Sequence, residues 1–186
     1  LTFSDIELEN VSIVMLESRC EDALHLVRVN GSDISVDINA AHFDAIDADF
    51  ANVTFNKVRI DEAGNDCIDL SAGNYHVKYA GLSRCSDKGV SAGEGSVVAM
   101  GNININQSGV GVVSKDSSIV GLTDYLINDV SFCFAAYQKK TNFVGGVLNL
   151  SEGSCGDYAV AESFQQLGSH IVSTSPTVQR QPAILK

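Results

Sequence analysis

A spacing of 22 residues constrains this chain more than any other feature. Written in rows of that length, Asn30, Asn52, Asn74, Ser96 and Ser118 fall into one column, and Thr141 continues it after one inserted residue. A second column reads Leu24, Ile46, Ile68, Val90, Val112, then Ala135. A third, two positions on, reads Leu26, Ala48, Leu70, Ala92, Ser114. Past the polar column, Val36, Val58 and Ala80 align, as do Ile38, Ile60 and Leu82. A fixed period of this size marks a stack of similar structural units.

Within each row apolar and polar residues alternate, as in DISVDI, VTFNKVRI and NININ. Alternation is the signature of a strand with one buried face. Helical periodicity is nearly absent. A short unit of two or three strands without a helix cannot hold antiparallel hairpins in constant register, whereas stacked coils can. The sequence therefore predicts an all-β fold, a single-stranded parallel β-helix of about seven coils. A sandwich would not keep turn residues at a constant spacing, and the six-residue repeat of a left-handed hexapeptide helix is missing.

Adjacent coils lie ~4.8 Å apart, so residues one period apart stack directly. The aliphatic columns become ladders inside the tube. The Asn column becomes an amide ladder at a bend, where Asn tolerates the left-handed backbone. Residues 1–160 are read as the β-helix. Residues 161–186, with Pro176 and Pro182, break register and are read as an irregular C-terminal cap and tail of the same domain. The N-terminal end has no visible cap, and an uncovered coil is an open strand edge. The chain is accordingly expected to belong to a longer protein with flanking domains.

Composition narrows the partners. Acidic side chains number 23 against 12 basic ones, for a net charge of −11. Nucleic-acid binding needs clustered Lys and Arg and is not expected. No apolar run approaches the roughly 18 residues of a membrane helix, so membrane insertion is not expected either. Cations and an extracellular, cell-surface or periplasmic setting suit this surface. Five cysteines (Cys20, Cys67, Cys85, Cys133, Cys155) show no metal-binding spacing. Their odd count argues against a full disulfide framework. They are read as small buried residues, with one or two bridges left open.

With the interior packed, chemistry belongs on the outer faces and turns. If Leu24, Ile46, Ile68 and Val90 point in, then His25 and Val27, Asp47 and Asp49, Asp69 and Ser71, Ser91 and Gly93, Val113 and Lys115 point out, followed by Ala136 and Gln138. Just before that strand runs the column Asp22, Asp44, Asp66, Lys88, Val110. Stacked like charges in neighbouring strands are unfavourable and raise one another's pKa unless a cation or basic partner intervenes. Two functional readings follow. Asp44, Asp47, Asp66 and Asp69 could hold Ca²⁺, the one candidate cofactor. Alternatively, two of the carboxylates could share acid and base work on a glycosidic bond. The plain alternative is that Asp22, Asp44 and Asp66 are favoured turn residues on a solvated acidic face.

Residues 44–115 resemble the pectin-lyase-like superfamily of right-handed parallel β-helices, and within it polygalacturonases. The resemblance implies a right-handed coil, and the rule for parallel crossovers agrees with it. Gly64-Asn65-Asp66-Cys67-Ile68-Asp69-Leu70 is similar to the family's GDDC segment. Residues 85–93, CSDKGVSAG, are similar to the segment with its GHG and following SxG. Asp44-Ala45-Ile46-Asp47 sits at the NTD position and Gly111-Val112-Val113-Ser114-Lys115 at the RIK position. Asn65, Lys88 and Val113 stand where the family has Asp, His and Arg. Of the charged site residues, Asp44, Asp66 and Lys115 carry over. The resemblance implies a carbohydrate-directed protein that binds, and in a lyase-, hydrolase- or epimerase-like reaction modifies, an acidic polysaccharide. Asp44, Asp66, Lys88 and Lys115 are the expected catalytic candidates, and Asp47, Asp69, His25 and Ser91 the expected substrate contacts. The rival reading is a non-catalytic structural or adhesion module.

Overall fold

Each row's alternation closes into strands because one side chain in two is aliphatic and can leave water, burying roughly 1.5–3 kcal/mol per large side chain. In the computed structural model the described residues are 1–174. They form a parallel β-solenoid of about 8 turns, each of roughly 22 residues, with no helix. The first coils are built from short strands: β1 (Thr2–Ser4), β2 (Glu7–Glu9), β3 (Ser12–Met15), β4 (Asp22–Val27), β5 (Asn30–Ile38), β6 (Asp44–Asp49), β7 (Asn52–Ala63) and β8 (Ile68–Ser71). The later coils run almost uninterrupted through bends: β9 (Asn74–Gly93), β10 (Val97–Lys115) and β11 (Ile119–Tyr137). Three strands complete the stack: β12 (Val147–Cys155), β13 (Tyr158–Gln165) and β14 (His170–Ser173).

Every strand pairing is parallel and joins one coil to the next. One face carries β1, β4, β6, β8 and the C-terminal parts of β9, β10 and β11, with β13 beyond. The inward ladder Leu24, Ile46, Ile68, Val90, Val112 and Phe134 is fully buried along its whole length.

The register differs from the expected one at two places. Asn74 pairs with Val97, and Val97 with Ile119, so Ser96 and Ser118 fall one residue short of the Asn column. The second is in the last strands. Val112 pairs with Phe134 and Lys115 with Tyr137, so no residue is inserted ahead of Ala135. The outward pair on that coil is Ala135 and Tyr137, not Ala136 and Gln138. The extra residues form the loop 138–146, and Ile119 pairs with Val147. Thr141 therefore lies exposed in a loop instead of extending the polar column. Ala135 and Phe134 serve equally well as apolar marks, so the alternation could not choose between them. The stack also continues past the expected break: Ala136 pairs with Gln165, and Leu150 with Ser173. Pro176, Pro182 and the tail around them lie outside the described residues.

The Asn ladder exists, with Asn52 Nδ2 donating to Asn30 Oδ1 at 3.2 Å and Asn74 Nδ2 to Asn52 Oδ1 at 2.8 Å. Its residues start strands, however. The left-handed bend falls two positions earlier, at Arg28, Phe50, Ala72, Glu94 and Asp116, whose φ angles lie between 48° and 56°. The cysteine reading is corrected too. Cys67–Cys85 and Cys133–Cys155 are disulfides, and Cys20 is the exposed free thiol. Each bridge joins adjacent coils, since Cys85 stands over Ala63 and Cys155 over Ile127.

Candidate functional site

The outward columns of the first face are His25, Asp47, Asp69, Ser91, Val113 and Ala135, and beside them Val27, Asp49, Ser71, Gly93, Lys115 and Tyr137. The corner column leading into this face holds Asp22, Asp44, Asp66 and Lys88. All the expected site residues thus come to one face and its adjoining corner. Their environments divide them into two groups.

Asp44 and Asp66 are buried and turned to the corner backbone. Asp44 Oδ1 accepts the Asp66 amide at 2.8 Å and Asn65 Nδ2 at 2.7 Å. One coil on, Asp66 Oδ1 accepts the Lys88 amide at 3.1 Å and the Lys88 ammonium at 3.2 Å. Each carboxylate satisfies the amide that the next coil presents at the bend. A bond of this charge-assisted kind contributes ~1.5–3 kcal/mol. Gly64 lets the chain turn tightly here, since an added Cβ would meet the His42 carbonyl oxygen at 2.0 Å. Burial pushes the Asp44 carboxyl above its usual range against the pull of those two donors. Lys88 is held between Asp66 and Asp87. Burial disfavours its ammonium, but the bond to Asp87 and the charge of Asp66 outweigh that and hold its pKa above the usual range. With Asn65 and Asp87, these three groups bond to one another and to the corner backbone. The acid/base role expected of Asp44 and Asp66 does not match that arrangement.

The second group faces outward. His25 Nε2 lies 3.3 Å from Asp49 Oδ2 and 3.5 Å from Asp47 Oδ2. The Asp47 carboxyl is pushed up to about 7, first by burial, then by Asp49 and Asp22, with His25 opposing. Burial likewise raises Asp22. Asp69 stands between Asp47 and Ser91 in register. Its Oδ1 is buried without a hydrogen bond and lies 3.8 Å from Lys115 Nζ. Lys115 is buried, its stem lying over Gly93, where an added Cβ would meet Cε at 2.8 Å. Its ammonium donates to Ser91 Oγ at 2.7 Å. Tyr137 lies beyond; burial raises its phenol, and the charge of Lys88 acts in the opposite sense.

The expected Ca²⁺ set is not brought together, because Asp44 and Asp66 face the corner while Asp47 and Asp69 face outward. Among the described residues, Asp22, His25 and Asp47 instead offer one ligand atom each, all within 4.8 Å of one another. An imidazole with two carboxylates suits Zn²⁺-like ions better than Ca²⁺, which prefers six to eight oxygens. Asp22 and Asp49 were visible in the columns but were not assigned roles. Tyr137 was missed because the misplaced insertion put Gln138 in its position. No family model, curated protein or solved structure matches the chain.

Proposed function

We propose that the protein is a carbohydrate-directed β-solenoid that binds a polysaccharide along the His25–Asp47–Asp69–Lys115 face, and that it binds without cleaving. The observation that carries this reading is the split between the two groups of carboxylates. Asp44 and Asp66, the pair a glycosidase-like reaction would need, are bonded to corner amides. His25, Asp47 and Asp69 are offered outward, one per coil, as acceptors for successive hydroxyl groups of an extended chain. The resemblance of residues 44–115 to polygalacturonases supports the ligand class. An acidic polysaccharide would approach at the Lys88 and Lys115 end, or through a divalent cation at the Asp22–His25–Asp47 end. Two disulfides fit an oxidising compartment and hence the proposed extracellular, surface or periplasmic setting.

Titration calorimetry with oligogalacturonate, alginate oligomers and neutral glucans, each with and without added Ca²⁺ or Zn²⁺, tests the reading. Binding that is lost in Asp69→Ala, with no new reducing ends and no unsaturated uronate absorbance, is the expected result. Turnover of any polymer would overturn the non-catalytic reading, and heat from none would overturn the carbohydrate one.

A further inference from the structure

A different part of each coil forms a second groove that the face described above does not touch. It crosses four successive coils. One outward column reads Asp37, Arg59, Gly81 and Asn104, and the next reads Asp61, Ser83 and Asn106. These residues line a groove of ≈ 350 Å³. We infer that the groove centred on Gly81 is a binding site for a neutral oligosaccharide.

Three observations on this groove converge. The first is the glycine. Gly81 stands mid-strand in β9, its backbone is not in the left-handed region, and an added Cβ would meet nothing within 4 Å. Neither the turn geometry nor the packing demands glycine there. A strand-interior glycine costs stability and commonly marks close approach of a ligand to the backbone. Here its effect is a notch between the longer side chains of Arg59 and Asn104.

The second is the lining. Asn104 and Asn106 are exposed, and among the described residues neither amide has a side-chain partner. Asp37, Asp61 and Ser83 add acceptors and a hydroxyl within the same groove. Planar amides, carboxylates and a guanidinium present paired donors and acceptors, the geometry that adjacent hydroxyl groups of a sugar ring satisfy. Tyr79, two residues from Gly81 and therefore on the same outward side, is 60% exposed and gives one ring for a sugar face to pack on.

The third is charge. Arg59 pairs with Asp37 at 3.7 Å, and Arg84 with Asp61 at 2.9 Å. The lining sets Asp37 and Asp61 against Arg59, one negative charge in excess, with both acids in ion pairs and Arg84 shared with Glu62, whereas the chain as a whole carries −11. An ionic ligand would have to break those pairs, whereas a neutral polyol bonds to them as they stand.

The test uses the whole chain, labelled with ¹⁵N, and four neutral hexasaccharides of gluco, manno, xylo and galacto configuration. At least one is expected to shift the backbone amides of Gly81, Ser83, Asn104 and Asn106, with Kd below about 1 mM. Gly81→Leu, whose Cβ meets nothing within 4 Å, puts a side chain into the notch and should weaken that binding tenfold or more. Asn104→Ala and Asn106→Ala should each weaken it severalfold. Asp69→Ala, on the other face, should leave it unchanged, so failure of this site and failure of the Asp-face reading are distinguishable. No shift with any hexasaccharide overturns the inference. So does Gly81→Leu binding as tightly as the unmodified chain while its spectrum remains that of a folded protein, or shifts confined to the His25–Asp69 face.

Discussion

Removing either disulfide should destabilise the solenoid by about 3 kcal/mol, and the consequence should depend on where along the stack the bridge sits. Cys67 and Cys85 are 18 residues apart and Cys133 and Cys155 are 22 apart. Closing loops of those lengths in the unfolded chain removes entropy worth ~3.2 and ~3.4 kcal/mol at 25 °C on the chain-entropy relation. The loops do not overlap, so the effects should add to ~6.6 kcal/mol, against a total stability of ~5–15 kcal/mol for a domain. For a chain of this size each kcal/mol moves Tm by about 2–4 °C, so each paired Cys→Ala variant should melt about 6–12 °C lower.

A stack communicates only between neighbours, and this makes the two losses differ in kind. Cys67–Cys85 lies mid-stack, so Cys67→Ala/Cys85→Ala should lower the main transition. Cys133–Cys155 braces the last coils, so Cys133→Ala/Cys155→Ala should first open β11 to β14. Differential scanning calorimetry reads the first effect and hydrogen exchange of residues 130–173 the second. The oxidised chain, denatured without reductant, should titrate a single thiol from Cys20. The reasoning fails if reduced and oxidised protein melt within about 2 °C of each other, or if five thiols titrate without reductant.

Three further outcomes follow from named contacts. Asp47 titrates at about 7 in the fold against ~3.9 unfolded, so the folded state holds its proton more tightly. The resulting advantage is complete below about pH 4 and is lost as pH rises to 7. Asp47→Asn, measured in EDTA, should match the parent at pH 4 and exceed it by about 1–2 kcal/mol at pH 8, after allowing for solvent around a partly exposed carboxyl. Equal or lower stability at pH 8 would contradict this. Asp44→Ala should cost about 1–3 kcal/mol in urea unfolding by orphaning the Asp66 amide, while Asp44→Asn costs less and leaves polysaccharide binding intact; loss of binding in the folded Asn variant would return Asp44 to the site. Gly93→Val should push aside the Lys115 stem and expose its ammonium, detectable as faster acetylation of Lys115 by mass spectrometry. Unchanged labelling would mean the stem does not rest there.

The fold was legible because a solenoid writes its geometry into spacing. Leu24, Ile46 and Ile68 can stack only if one coil equals one period, and the same register fixed every outward residue through Lys115. What escaped was what spacing does not record. The loop 138–146 inserts residues where both Phe134 and Ala135 satisfy the apolar column, so periodicity could not say on which side of them the extra length lies. The disulfides escaped because each joins two different columns of adjacent coils: Cys85 stands over Ala63 and Cys155 over Ile127, so neither pair falls in one column.

The candidate site was legible in position and illegible in role, and the two Asp columns show why. Asp44 and Asp47 are three residues apart, equally acidic, and each sits one period from another Asp. A sequence gives them the same standing. The fold separates them through the bend: Asp44 opens strand β6 at the corner, where the next coil brings an amide to 2.8 Å, so its Oδ1 is used as a cap. Asp47 lies inside the strand, where backbone donors are already committed to the parallel ladder, and its carboxylate can turn only outward toward His25. Strand interior or bend, a matter of three residues, thus decides between a structural and a ligand-facing carboxylate. By that criterion Asp69 belongs with Asp47, and Asp66 with Asp44. The ligand-facing set is therefore the one within the strands, and mutations there should change binding more than folding.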